Sequence, residues 1–109
     1  MGFFSDDSDQ ANYADQWNAS NPQEHDPSFA HELIAGAASF EAAKAYENHV
    51  AENGQPPNHQ MAKELLAGFA GAFIDREVET KGLDFIDREK AKRQAEEHFN
   101  NVDPSQYGY

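Results

Sequence analysis

The sequence contains no cysteine among its 109 residues. Disulfide bridges, thiolate zinc sites, iron–sulfur ligation and a cysteine nucleophile are therefore excluded. Long apolar runs are also missing, and none approaches the roughly 18–20 residues that a helix needs to span a bilayer. The amino terminus has neither a basic region nor an apolar signal core. We therefore expect a cytoplasmic protein with no membrane partner.

Basic residues are scarce. The chain has 8 Lys and Arg against 20 Asp and Glu, which gives a formal net charge of −12. So acidic a surface repels the phosphate backbone, and we expect no nucleic-acid partner. The one basic cluster, at residues 88–93, is interleaved with carboxylates, a pattern typical of a solvated helix face.

No segment shows the two-residue alternation of a strand, so the sequence predicts an all-α fold. Asp26 and Pro27 are typical of a helix start and predict a first helix over 28–52. Gly54 and the two prolines after it end that helix.

A second helix is predicted to begin after Pro57, with Asn58 near its cap, and to end near Thr80. A third, mostly charged helix is predicted over 83–101, and Asp103 and Pro104 end it.

Three regions follow from this pattern: an acidic arm over 1–26, a helical domain over 27–102 and a flexible tail over 103–109. The arm carries no Lys or Arg and is rich in Asn, Gln and Ser. It also carries more aromatic residues than a disordered tail usually has. They are Phe3, Phe4, Tyr13 and Trp17. A docked arm and a free tail both remain open.

Residues 29–38 and 61–70 form an internal repeat that shares the pattern A-x-E-L-x-A-G-x-A. The repeated glycines, Gly36 and Gly68, each cost a helix about 1 kcal/mol relative to alanine. A repeated cost suggests a repeated use in close helix packing, although an ordinary alanine-rich helix would give a similar pattern.

A short turn between the first two helices predicts an antiparallel hairpin, in which Gly36 faces Phe73 and Phe40 faces Phe69 beside Gly68. The predicted packing and interaction residues are Phe29, Leu33, Gly36, Phe40, Leu65, Gly68, Phe69 and Phe73. A three-helix core of this size is marginally stable. We therefore expect a homo-oligomer or a protein partner. It would cover the apolar residues that the three helices leave at the surface, which are Ile34, Tyr46, Leu66 and Ile74.

The histidines and carboxylates predict no catalytic centre. Neither Glu-x-x-His nor His-Glu-x-x-His spacing occurs among the five histidines. Carboxylates such as Asp75 and Glu77 are expected on solvated faces. No metal ligand, cofactor or catalytic residue is assigned, and the chain is expected not to be an enzyme. The alternative is a small-ligand, haem or metal-binding helical protein that uses His31 and His59.

Four stretches resemble one known family: HELI at 31–34, FEAAKAYE at 40–47, AKELLAGFAG at 62–71 and ETKGLDFIDREKAK at 79–92. The opening MGFF fits as well. They look like the fungal CipC-like family, the concanamycin-induced protein C or antibiotic-response proteins. The resemblance covers most of the chain, and the stretch at 79–92 is the most specific part.

The resemblance implies a small fungal intracellular protein linked to responses to antibiotics and other stress. It implies no reaction and supplies no catalytic residues. Together with the composition, it predicts a non-enzymatic, stress-responsive helical protein of the protein-interaction or self-assembling type.

Overall fold

The computed structural model describes residues 9–19 and 26–100, without the side chains of Asp9, Pro27 and His59. Four α-helices and no strand are found in these ranges, which confirms the all-α prediction. The helices are α1 (Asp9–Ala19), α2 (Pro27–Asn53), α3 (His59–Lys81) and α4 (Arg88–Asn100). Phe3, Phe4 and the predicted tail at 103–109 lie outside the described residues.

Local capping chemistry sets both ends of α2. The Asp26 carboxylate accepts a hydrogen bond of 2.8 Å from the Ser28 backbone N–H, which would otherwise have no partner at the helix start. Gly54 ends the helix with φ +83°, a backbone conformation that favours glycine, and its N–H donates to the Val50 carbonyl. The predicted range of 28–52 is confirmed to within one residue.

The same chemistry sets the ends of α3. The Asn58 side chain accepts a hydrogen bond of 2.9 Å from the Met61 N–H. Gly82 ends the helix in the left-handed conformation, at φ +65°, and its N–H donates to the Val78 carbonyl. The predicted start after Pro57 and the predicted end near Thr80 are both confirmed.

The predicted start of the last helix at residue 83 is wrong, because α4 begins at Arg88. A turn occupies the intervening residues, and it buries Leu83 and Ile86 against the core. The Asp87 carboxylate then accepts from the Lys90 N–H and caps the new helix. Leu83 and Ile86 fall inside the predicted helical range of 83–101, but they are core residues of this turn.

The helices run alternately up and down around α2, which contacts each of the other three. The start of α4 lies beside the last third of α3, where Arg88 contacts Asp75 at 3.2 Å, so these two helices are antiparallel. Near the start of α1, Gln10 contacts His98 of α4, and near its end Trp17 reaches Glu77 of α3. α1 therefore runs antiparallel to both α2 and α4.

The core lies between these helices, and its largest fully buried apolar residues are Trp17, Leu33, Ile34, Leu66, Ile74 and Leu83. The four residues predicted to be spare surface, Ile34, Tyr46, Leu66 and Ile74, are all buried. That prediction is wrong because α1 and α4 cover faces that a two-helix hairpin would leave open. An oligomer is not needed to bury them.

The acidic arm was predicted to be either docked or free, and its residues 9–19 are docked on the other helices. Trp17 is fully buried, and the Tyr13 ring packs on α2 at Gly36. A Cβ atom at Gly36 would overlap the Tyr13 side chain. Gly36 does allow a close helix approach, but the predicted partner Phe73 is wrong, since α1 and not α3 lies against it.

Gly68, the counterpart of Gly36 in the repeat, is exposed, and a Cβ atom there would meet nothing within 4 Å. Its predicted role as a notch that Phe40 fills is therefore wrong. Phe29, also predicted to pack, is 36% exposed near the start of α2. The two halves of the repeat thus have different surroundings, because the additional helix α1 contacts α2 and covers only one of them.

Candidate interaction surface

A partly exposed strip of mainly apolar and small residues, with Glu64 and Arg76 as its charged members, runs along α3 beside the core-facing side of the helix. Its members are Met61, Glu64, Leu65, Gly68, Phe69, Ala72 and Arg76, and together they are called the α3 outer face. Leu65 and Phe69 lie at its edge and also pack against the core. The inward side of the same helix carries Ala62, Leu66, Ala70, Ile74 and Val78, all of them buried. Since α3 is apolar on two sides, burial of one side in the core leaves the other at the surface.

The centre of the α3 outer face is a shallow depression of about 440 Å³, lined by Met61, Glu64, Leu65, Gly68 and Phe69. Met61 is 44% exposed there, while Leu65 and Phe69 are half-buried. The floor is open because Gly68 has no side chain and no neighbour where a Cβ atom would lie. This combination of an open floor and apolar walls suits the insertion of an apolar side chain.

Aromatic rings and cations border this face on the α2 side. The His49 ring meets the Phe69 ring edge-on, with the centroids 6.1 Å apart. The Arg76 guanidinium lies 5.3 Å from the centre of the Phe73 ring. Similarly, the Lys44 ammonium lies 4.9 Å from the centre of the half-buried Phe40 ring. These contacts hold the half-buried rings in place.

His31, a predicted ligand-binding residue, has a structural partner. It is 5% exposed, and its Nε2 accepts a hydrogen bond of 2.8 Å from the Asp87 backbone N–H. That bond satisfies a polar group just before α4 and joins the start of α2 to the α3–α4 turn. The imidazole therefore orients the turn.

The structure does not bring the two predicted ligand histidines together. His31 lies near the start of α2, and His59 is the first residue of α3. Because the two helices are antiparallel, these positions lie at opposite ends of the pair, about 30 Å apart at a rise of 1.5 Å per residue. One small ligand could not contact both.

Glu77 joins α3 to α1, although it had been expected on a solvated face. Its Oε1 accepts a hydrogen bond of 2.8 Å from the Trp17 indole N–H and lies 3.1 Å from the Lys81 Nζ. Burial acts to raise the pKa of Glu77, but the hydrogen bonds from Trp17 and Lys81 and the nearby positive charges outweigh it and hold the pKa below its ordinary value of 4.5. The carboxylate is thus kept ionised for a structural role.

Asp75 is the corresponding link between α3 and α4. Its two oxygens lie 3.2 Å from the Arg88 guanidinium and 3.2 Å from the Lys92 ammonium. Within the described ranges, no three His, Asp or Glu side chains are grouped so that they could hold a metal ion. Among the described helices, none is both long and apolar enough to cross a membrane.

Sequence reasoning missed three features of this surface. The apolar residues of α3 at helical spacing predict one core-facing stripe, and Leu65 and Phe69 do pack against the core, but Met61 is exposed. Sequence reasoning did not single out Glu64 and Arg76, whose signal was their four-residue spacing from Gly68 and Ala72. It also treated Glu77 as solvent-exposed, since only the fold brings Trp17 next to it.

Comparison with known proteins gives one result. A family described as virulence factor CipC-like matches residues 14–105. No curated protein and no solved structure matches the chain significantly. The family match begins inside α1 and continues past α4, so it includes every residue of the α3 outer face, and it confirms the resemblance seen in the sequence. The chain belongs to the virulence factor CipC-like family.

Proposed function

We propose that this chain is a non-enzymatic helical interaction protein of an antibiotic or stress response, and that it binds another protein molecule through the α3 outer face. The observation that carries the proposal is the exposed apolar depression around Gly68, walled by Leu65 and Phe69. Exposed apolar surface of this kind is typical of protein contact sites. The link to antibiotics or stress is what membership in the CipC-like family suggests.

The polar side chains that could have formed a ligand or catalytic site have structural partners within the protein. His31 accepts a hydrogen bond from the backbone, Glu77 bonds Trp17, and Asp75 pairs with two cations. Glu77 and Asp75 each join two helices, and His31 joins α2 to the turn before α4. The alternative of a small-ligand, haem or metal-binding protein gains no support from His31, because its Nε2 is already engaged.

Site-specific photocrosslinking tests the proposal. A photoreactive amino acid is placed at position 68, in the open floor of the depression, and in a second protein at position 93, an exposed position on α4. Cells that make each protein are irradiated during exposure to an antibiotic. We expect crosslinked protein adducts from position 68 and few or none from position 93.

A second variant shows whether the contact needs the apolar wall. Leu65→Glu in the protein that carries the crosslinker at position 68 should remove the adducts, because a charge would be buried in the contact. Because Leu65 also packs against the core, circular dichroism of the purified variant checks that it is folded. Cells that carry Leu65→Glu should also respond to the antibiotic as cells without the chain do. Equal adducts at positions 68 and 93, or adducts unaffected by Leu65→Glu, would contradict the proposal.

A further inference from the structure

We propose that the partner at the α3 outer face is a second copy of this chain, with the two α3 helices antiparallel across a two-fold axis near residue 70. This inference rests on the proposed function, since it names the molecule that fills the same apolar depression. It is carried by the way charge is distributed along the face.

Four exposed positions, each four residues after the last, form one ridge of the helix: Glu64, Gly68, Ala72 and Arg76. An acid stands at one end of the ridge, a base at the other, and two small residues between them. When two such ridges run antiparallel about residue 70, Glu64 of each copy lies opposite Arg76 of the other. Gly68 then lies opposite Ala72. The face is therefore complementary to itself, as a two-fold interface requires.

A parallel arrangement would lose this match, because Glu64 would lie opposite Glu64 and Arg76 opposite Arg76. Both like-charged pairs would oppose association. Arg76 can reach across, because 67% of its side chain is exposed. Within its own copy it lies 3.9 Å from the Glu77 carboxylate, so in the dimer it shares or exchanges this contact with Glu64 of the other copy. The charge pattern thus favours the antiparallel dimer over the parallel one.

Apolar packing between the copies follows from the neighbouring ridge, which Met61, Leu65 and Phe69 form at the same four-residue spacing. Two helices whose four-residue ridges interlock cross at about −50°. In that geometry the apolar ridge of one copy enters the shallow groove above Gly68 and Ala72 of the other. The open space at Gly68 is what allows the two backbones to approach closely.

The size of the face sets the expected strength. From position 61 to position 76 the helix extends about 22 Å, so one helix from each copy forms the contact. Such an interface is smaller than that of a permanent dimer, and we expect reversible association with a dissociation constant on the order of micromolar.

Charge reversal tests the pairing directly in the purified full chain. Glu64→Arg places two positive pairs in the dimer, and Arg76→Glu places two negative pairs in it. Each variant alone should dimerise at least about tenfold more weakly than the wild type, as measured by sedimentation equilibrium. An equimolar mixture of the two should restore the dimer, because each copy then supplies the charge that the other needs.

Native mass spectrometry of the mixture identifies the restored species, since the two variants differ in mass and a heterodimer has its own value. Glu52→Arg and Arg93→Glu, at exposed positions on α2 and α4, reproduce the same changes in net charge and serve as controls. At about 0.3 M NaCl, where long-range repulsion is largely screened, they should dimerise as the wild type does. Circular dichroism checks that every variant is folded.

Three results would overturn the inference: a wild type that stays at its monomer mass of 12.2 kDa, a mixture that does not dimerise, or controls that weaken as much as the test variants. If the wild type is monomeric and position 68 crosslinks to a different protein, the dimer is ruled out and the proposed function still stands. If the wild type is monomeric and position 68 gives no adduct, both the dimer and the proposed function are ruled out.

Discussion

At the scale of single residues, the contact between Tyr13 and Gly36 shows how the lack of a side chain on one helix allows another helix to pack closely against it. The Tyr13 side chain occupies the space where a Cβ atom at position 36 would lie, so α1 approaches α2 closely there. Gly68 has the same place in the repeat but no neighbour within 4 Å of its own missing Cβ atom. These two glycines are therefore a natural pair for one experiment.

We expect Gly36→Ala to destabilise the protein by about 1–2 kcal/mol, because the strain of displacing Tyr13 exceeds the gain of a better helix former. Gly68→Ala should stabilise it by about 0.5–1 kcal/mol, since only the gain remains at an open position. Urea unfolding at a concentration where the protein is monomeric measures both. Equal changes in the free energy of unfolding at the two positions would show that the Tyr13 contact with Gly36 does not contribute to stability.

The sequence predicted that Gly36 permits a close approach but named Phe73 as its partner. The pairing followed from the antiparallel hairpin, which considers only the two helices that carry the repeat. The helix that actually covers Gly36 comes from a segment rich in Asn and Asp, residues of low helix propensity. Ala11, Ala14 and Trp17 form its buried stripe, and two alanines give too weak an apolar pattern to identify a helix.

At the scale of elements, the ends of α2 and α3 were predictable and the faces of α3 were not. Asp26, Gly54, Asn58 and Gly82 act within a few residues of themselves, so the local sequence contains the whole explanation. Which face of α3 becomes buried depends instead on where α2 and α4 lie. A helix that is apolar on two sides does not determine this by itself: Leu65 packs against the core, whereas Met61, four residues before it, is exposed.

The attachment of α1 to α3 is expected to depend on pH through Glu77. Because its pKa is held below the ordinary value of 4.5, the ionised form is the one that the folded state favours. A group with a lowered folded pKa contributes stability that is complete above its unfolded pKa and is lost as the pH falls through the folded value. The contribution of Glu77 should therefore be constant above about pH 5 and decline in more acidic solution.

Comparison with Glu77→Gln isolates this contribution. Glutamine can still accept from the Trp17 indole, but it loses the charge that pairs with Lys81, so we expect a loss on the order of 1 kcal/mol at neutral pH. The difference between wild type and variant should shrink as the pH falls below about 4.5. Trp17 is the only tryptophan, so its fluorescence during urea unfolding reports on α1.

Other groups that face α1 are common to both proteins, and their effects cancel in the difference. His98 contacts Gln10 at 2.7 Å and the edge of the Tyr13 ring, and Lys81 lies 4.8 Å from the centre of the Trp17 ring. Glu52→Gln, at an exposed position on α2, controls for the loss of one negative charge. If the difference in free energy of unfolding between wild type and Glu77→Gln grew as the pH fell, ionised Glu77 would not stabilise the folded state, contrary to this prediction.

At the scale of the whole molecule, the net charge of −12 opposes any association between copies. The proposed dimer must therefore gain its stability from short-range contacts: the apolar ridge in the groove, and the pairs between Glu64 and Arg76. A basic partner would gain from the same charge at long range. The two kinds of partner thus respond to salt in opposite directions.

We expect the dimer to strengthen severalfold when NaCl is raised from about 0.02 M to about 0.3 M. At the higher salt the screening length falls well below 10 Å, so the repulsion between the acidic surfaces is largely removed. The apolar contact is not weakened by screening, and the loss at the exposed Glu64–Arg76 pairs is small because each contributes at most about 1 kcal/mol. Sedimentation equilibrium at the two salt concentrations measures the change, with Arg93→Glu as a more acidic control that should gain more from salt. A dissociation constant that rose with salt would show that attraction between opposite charges outweighs both the apolar contact and the repulsion between the acidic surfaces, which would contradict this balance of forces.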